Sequence, residues 1–490
     1  MTRLPVALSV ALAVSGCAAS AAPPVIASAP AHLAVAVAAD PPPSRAPDPF
    51  PGSPDRPRPA PSGAWIGAAG DSELLLAGDR ETFLGVWVDV PTAAHKVHAP
   101  VAVSLVIDTS GSMAGAKIEH ARLAARDLVL HLADGDLVSI ETFADEARER
   151  VPPTVLGPST RRDILAEIAS IQPSGGTNMF DGLRAGESRA LGAPARYAVR
   201  RVLVVSDGMA NVGPSSPEIL GQLAARGADR GVQVTAIGVG LEYDERTLNA
   251  LAVRSSGRLY HLGEPREMEA ILARELDLLE STMATDAVVE IVPAPGVQLL
   301  GVDGARADRV GAALHVPLGS MFGGQHRELA VRVRVTAPDE IAGARPLASV
   351  RLRFRDPADG GLERLHEVVA RYEVTTDAAA VERRANARTR AIVSMQDAAQ
   401  VAVRAAQSVN AGQLAEADRD LARAEDRLAQ AAKKADSAEL RARMEKAAAG
   451  MSAARAVAQK AAAAPAAARP AAMRAGALDI NSKGMEAAGY

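Results

Sequence analysis

Three short segments carry side-chain oxygens in a pattern able to hold a hard cation. Asp108-Thr109-Ser110-Gly111-Ser112 follows an apolar run at 101–107, and Gly175-Gly176-Thr177-Asn178 precedes a helical pattern. Val204-Val205-Ser206-Asp207-Gly208 ends a second apolar run. Mg²⁺ takes near-octahedral oxygen coordination and usually keeps several waters, so hydroxyls and carboxylates gathered at one edge would suit it. Gly111 would let the backbone turn closely around an ion. Taken singly, the same residues read as turn and helix caps, for which Asp and Ser are favoured.

The surrounding pattern specifies what must position them. The run at 101–107 is almost continuously apolar, as in a parallel strand covered on both faces. A helical pattern follows at 117–132, with Ile118, Leu123, Leu128 and Leu132 assigned to one face. Strand-like segments at 137–143, 201–206, 232–239 and 258–261 then alternate with helical ones at 161–171, 182–191, 217–230, 244–253 and 264–279. This alternation predicts an α/β fold with an open, doubly wound, mostly parallel sheet. Ligands bind such sheets outside the carboxyl ends of the strands, where Asp108 and Asp207 fall.

From 285 the period changes. Segments 288–292, 331–335 and 350–354 alternate as half-buried antiparallel strands do, and the turn-rich 356–361 connects to 367–374. Three or four strands make a thin sheet. The strands at 72–91 are expected to complete a small antiparallel β-sandwich into which the α/β region is inserted. From 378 the composition is Ala/Glu/Arg/Lys/Leu-rich and predicts two or three long helices, broken at Asn410-Ala411-Gly412 and near 434–438. The resulting expectation is a Pro/Ala-rich disordered tether at 18–64, sandwich strands at 65–98 and the α/β domain at 99–282. The sandwich would resume at 283–376, helices would occupy 377–464, and 465–490 would be a disordered tail.

The Asp108–Ser112 sequence, D-x-S-x-S, resembles the metal-ion-dependent adhesion site of von Willebrand factor type A (VWA) domains and integrin inserted domains. Met113, Gly115 and Lys117 fit the version common in bacterial members and in inter-alpha-trypsin-inhibitor heavy chains. The Thr177 and Asp207 segments follow in the family's order, and the resemblance spans 99–282. It implies that Ser110, Ser112 and Thr177 bind a divalent cation directly, while Asp108 and Asp207 act mostly through water. Mg²⁺ is the expected ion, with Mn²⁺ or Ca²⁺ as alternatives. Neutral hydroxyl ligands leave much of the charge unneutralised, so an open position would attract an Asp or Glu of a protein partner.

The single cysteine, Cys17, ends Val14-Ser15-Gly16-Cys17 after a short apolar stretch. This tetrapeptide resembles a bacterial lipobox, which implies a signal peptide at 1–17 and a lipid anchor on Cys17. An ordinary cleaved signal peptide is the alternative. Ala18 rather than Asp then implies the outer membrane, if the host is Gram-negative. Net charge is −4 and there is no basic run, which argues against a nucleic-acid partner.

Gly70-Asp71-Ser72-Glu73 resembles the opening block of a serine esterase family but departs at Glu73 and lacks a downstream Asp-x-x-His. His95 and His98 have ligand spacing without further ligands nearby. No G-x-S-x-G elbow or phosphate loop is present, so neither an enzyme nor a small-molecule substrate is expected. The leading expectation is a lipid-anchored, metal-dependent binding protein of the cell envelope. The alternatives are an envelope-assembly component oligomerising through its C-terminal helices, and a hydrolase acting through Ser72.

Overall fold

The computed structural model describes residues 65–92, 99–338 and 343–489. Cys17, the tether and the His95/His98 pair lie outside the described residues. Strands β1 (Ile66–Gly70), β2 (Leu74–Leu76) and β3 (Gly78–Asp89) come first. There follow β4 (Val101–Asp108), α1 (Ala116–His131), β5 (Leu137–Phe143), β6 (Ala147–Val155), α2 (Pro158–Ala169), α3 (Met179–Leu191) and β7 (Val199–Ser206). Then come α4 (Pro217–Ala228), β8 (Val232–Val239), α5 (Glu245–Ser255), β9 (Arg258–Leu262) and α6 (Met268–Glu280).

Strands β4, β5 and β8 are buried at every residue, β4 and β8 as their largely apolar runs require, and β5 with Ser139, Glu141 and Thr142 among its buried residues. The sheet order is β6-β5-β4-β7-β8-β9, parallel throughout except for β6. The sequence pattern did not reveal β6. It is an edge strand carrying Arg148-Glu149-Arg150 and Pro152-Pro153, the charged and proline-bearing composition that edges tolerate. Helix α1 buries Ile118, Ala121, Ala125 and Leu128. Leu123, assigned to that face from the sequence, is instead 41% exposed, because small alanines fill the contact. On the opposite face α3 lies close to the sheet: a Cβ on Gly186 would come within 2.4 Å of Val106 Cγ2.

Next are β10 (Thr282–Pro293), β11 (Val297–Asp303), β12 (Asp308–Val310), β13 (Ala313–Phe322), β14 (His326–Ala337), β15 (Arg345–Asp356) and β16 (Leu362–Thr375). Two sheets, ordered β1-β3-β14-β11 and β12-β13-β10-β15-β16-β2, form a β-sandwich. β3 pairs with β14 along its whole length, from Asp89↔His326 to Gly78↔Ala337. The first three strands therefore complete the sandwich, and the α/β domain is inserted between β3 and β10. The sandwich has more than three or four strands: β11 lacks clean alternation, and β13 alternates at 314–318 but carries Pro317 and Gly319, residues depleted in strands. Buried Gln233 fixes the insert to the sandwich. Its Nε2 donates to the Ser256 carbonyl at 2.5 Å, and its Oε1 accepts from Ser320 N at 3.0 Å.

The C-terminal region comprises α7 (Ala378–Arg383), α8 (Ala387–Asn410), α9 (Leu414–Lys433), α10 (Ala438–Ala463) and α11 (Arg469–Ala488). The expected disordered tail is corrected here: α11 is a helix with Leu478, Ile480 and Met485 buried. Its composition is poor in large apolar residues, so read alone it could not support a fold. It is ordered by contacts supplied from elsewhere in the chain. No helix among the described residues is long and apolar enough to cross a membrane.

Ser72 is 2% exposed, and its hydroxyl donates to the Val381 carbonyl at 2.8 Å while accepting from Leu74 N at 3.1 Å. It ties the first strands to α7 and is not poised as a nucleophile. Ser72→Ala should cost about 1–3 kcal/mol in urea denaturation by orphaning buried backbone groups. The intact protein should remain unlabelled by a serine-reactive fluorophosphonate.

Candidate metal site at the sheet edge

Parallel pairing of β4 with β7 brings the ends of the two strands side by side. β4 ends in Asp108, and Asp207 directly follows β7; both carboxylates are fully buried. Asp108 Oδ1 accepts from Ser110 N at 2.8 Å and Oδ2 from Ser206 Oγ at 2.6 Å. Ser110 Oγ and Ser112 Oγ stand 3.0 Å apart, and Ser112 Oγ donates to Asp207 Oδ1 at 2.8 Å. Thr177, just before α3, completes the group. A Cβ on Gly208 would lie 3.5 Å from Thr177 Oγ1 and 3.6 Å from Ser112 Oγ, so both hydroxyls sit over this glycine. All five residues singled out in the sequence thus meet at one edge of the sheet.

Other residues hold the loops in place, and sequence reasoning gave them no role. Thr177 N donates to Asn211 Oδ1 at 2.8 Å, and Gly176 N donates to Asp145 Oδ1 at 2.9 Å. Gly111 N donates to the Gly175 carbonyl, where Gly175 adopts φ +73°, a left-handed conformation suited to glycine. Asn211 and Asp145 come from other loops, so no spacing signal could have found them. Ser206 was visible beside Asp207, but only the pairing of β4 with β7 reveals its bond to Asp108.

Burial pushes the Asp108 carboxyl up to about 6, against the lowering effect of hydrogen bonds from Ser206 and Ser110, with Asp207 adding repulsion. Lys117 Nζ approaches Asp207 Oδ2 at 2.5 Å. Two buried carboxylates against one ammonium leave an excess negative charge that a cation would offset. The donor set is all oxygen, as a hard divalent ion prefers, and exposed Ser112 leaves one side open to solvent. No group of three His, Cys, Asp or Glu side chains suited to a metal occurs among the described residues, so the hydroxyls are essential to this donor set.

Residues 103–274 match the family model described as the von Willebrand factor type A domain. This part of the chain is a VWA domain. Such domains generally mediate protein–protein interactions. The chain is 28% identical over 223 residues to the uncharacterized protein YfbK of Escherichia coli K12, covering 45% of this chain and 38% of that protein. It is also 28% identical over 187 residues to mouse inter-alpha-trypsin inhibitor heavy chain H2, covering 37% of this chain and 20% of that one. The chain therefore spans well under two thirds of either relative.

Among solved structures, a von Willebrand factor type A protein from Catenulispora acidiphila matches with TM-score 0.68 and 18% identity, covering 86% of this chain and 96% of that one. The ArnB paralog VWA2 from Sulfolobus acidocaldarius matches with TM-score 0.58 and 16% identity, covering 86% and 98%. These likenesses extend beyond the VWA domain and show a shared fold.

Two further buried carboxylates lie on the α3 side of the VWA sheet. Burial pushes Glu141 up to about 7, although Ser104 donates to it at 2.7 Å. Glu187, on α3 against Gly227, is pushed up to about 8 by burial alone. The folded pKa of Glu187 lies above the unfolded value, so the native state retains a proton that the unfolded chain releases. Its contribution to stability is therefore lost as pH rises from about 4.5 to about 8, by up to about 1.4 kcal/mol per pH unit. Glu187→Gln should flatten that decline, seen as a smaller fall in urea midpoint between pH 5 and pH 8.

Proposed function

We propose that this protein binds a protein partner in a metal-dependent manner. A divalent cation, Mg²⁺ in the first instance, would be held directly by Ser110, Ser112 and Thr177 and through water by Asp108 and Asp207. The bound ion supplies an electrophilic position for an Asp or Glu of the partner. Ser206 and the Ser110 amide orient the Asp108 carboxylate, and Asn211 and Asp145 hold the Thr177 loop in register. The observation that carries this reading is the convergence of three hydroxyls on two buried carboxylates with one face open to solvent. Capture of a partner from envelope extract should succeed in millimolar Mg²⁺ and fail in EDTA. Capture that persists in EDTA would overturn it.

The proposal includes a lipid anchor on Cys17, placing the VWA domain in the cell envelope, at the outer membrane in a Gram-negative host. Radiolabelled palmitate should enter the wild-type chain during expression and not Cys17→Ser. The assembly alternative has less surface to draw on. α8 packs on β3 and β14, and α11 on α8 and β9, so much of the helices' apolar surface is used within the chain.

A further inference from the structure

Lys117 stands in the first turn of α1, with its ammonium between the ends of two neighbouring strands. Nζ lies 2.5 Å from Asp207 Oδ2, and the Lys117 side chain is 26% exposed against none for Asp207. On its other side the stem passes Gly240, just beyond β8: a Cβ there would lie 3.7 Å from Lys117 Cε and 3.8 Å from Nζ. The ammonium thus sits against the Asp207 carboxylate, with the Gly240 turn alongside the end of its stem. With Asp108 and Asp207 ionised, it leaves the group one net negative charge, which a divalent ion would turn into one net positive charge. Without Lys117 the loaded group would be neutral.

We propose that Lys117 weakens the site's intrinsic affinity for the divalent ion while strengthening the loaded site's hold on a partner's carboxylate. This rests on the metal-dependent reading above and assigns a task to a residue outside the ligand set. A like charge about 6 Å from the ion opposes its entry by about tenfold even at the dielectric of bulk water, and by more where water is partly excluded. The same charge attracts the incoming anion. In the metal-free chain the ammonium also satisfies Asp207, which would otherwise be a buried carboxylate without a counter-charge.

Lys117→Met keeps the apolar stem and removes the charge, whereas Lys117→Arg keeps the charge. Mg²⁺ titrations by calorimetry, with and without acetate as the carboxylate probe, read both effects. Lys117→Met should bind Mg²⁺ at least about tenfold more tightly, and the gain in apparent Mg²⁺ affinity that acetate gives the wild type should shrink or vanish. Lys117→Arg should stay near wild type in both. In EDTA, Lys117→Met should unfold at a lower urea concentration than wild type. Weakening of Mg²⁺ and acetate binding together would show a merely structural role and overturn the proposal. Wild-type protein that binds neither Mg²⁺, Mn²⁺ nor Ca²⁺ at millimolar concentration would sink the metal reading and this inference with it.

Discussion

Asp108→Ala is expected to lower Mg²⁺ affinity by about 100-fold and to abolish Mg²⁺-dependent partner capture. The carboxylate is fully buried, and each of its oxygens accepts one hydrogen bond, from the Ser110 amide and the Ser206 hydroxyl. Truncation removes one of the two negative charges facing the hydroxyl cluster, deprives the buried Ser110 amide of its acceptor and leaves the Ser206 hydroxyl only a long bond to the Gly208 carbonyl. An orphaned buried donor costs about 1–3 kcal/mol, so the alanine variant should also be less stable. Asp108→Asn separates the two effects, because its amide oxygen can still accept a hydrogen bond while the charge is gone. It should remain folded in urea titrations yet lose most of its Mg²⁺ affinity in calorimetry. Ligand binding to the native state adds about 2.7 kcal/mol of stability at a concentration of 100 Kd. Wild type should therefore show a Mg²⁺-dependent rise in urea midpoint that Asp108→Asn lacks. Retention of that rise in Asp108→Asn would remove Asp108 from the site.

The site was legible because its oxygens lie in three contiguous segments, each attached to the end of a strand or the start of a helix. The strands themselves were legible because β4, β7 and β8 are covered on both faces and so are apolar along most of their length. What the sequence concealed depends on which loops meet. Asp145 and Asn211 are unremarkable polar residues until the fold sets them against the backbone of Gly176 and Thr177. Leu123 looked like core because periodicity counts large apolar residues, whereas α1 packs through Ala121 and Ala125. β6 was concealed for the opposite reason: as an edge strand it is composed to resist further pairing. The tail was misjudged because its order is a property of the surfaces it meets.

Leu478→Ala is expected to destabilise the protein by about 2–5 kcal/mol while leaving Mg²⁺ affinity within twofold of wild type. Leu478 is fully buried and joins a core with Leu248, Leu251 and Leu259 of the VWA domain. Around it α11 is held by directional bonds. Arg474 Nε donates to the Leu241 carbonyl at 2.8 Å, and its Nη1 pairs with Glu245 at 2.7 Å. Arg474 also donates to the Tyr243 carbonyl. The amides of Asn481 and Asn249 exchange hydrogen bonds at 2.9 and 3.0 Å. A leucine held in this way cannot collapse its surroundings readily, so a cavity should remain, and that places the cost toward the upper end of the range. Because β9 is the edge strand of the VWA sheet, α11 also covers an edge that would otherwise be open to pairing with another chain. Removal of 469–490 should therefore lower the urea midpoint further than Leu478→Ala and add concentration-dependent association in light scattering. An unchanged urea midpoint in Leu478→Ala would mean that α11 docks without contributing to stability, and its bonds to the 241–245 loop would then carry no weight.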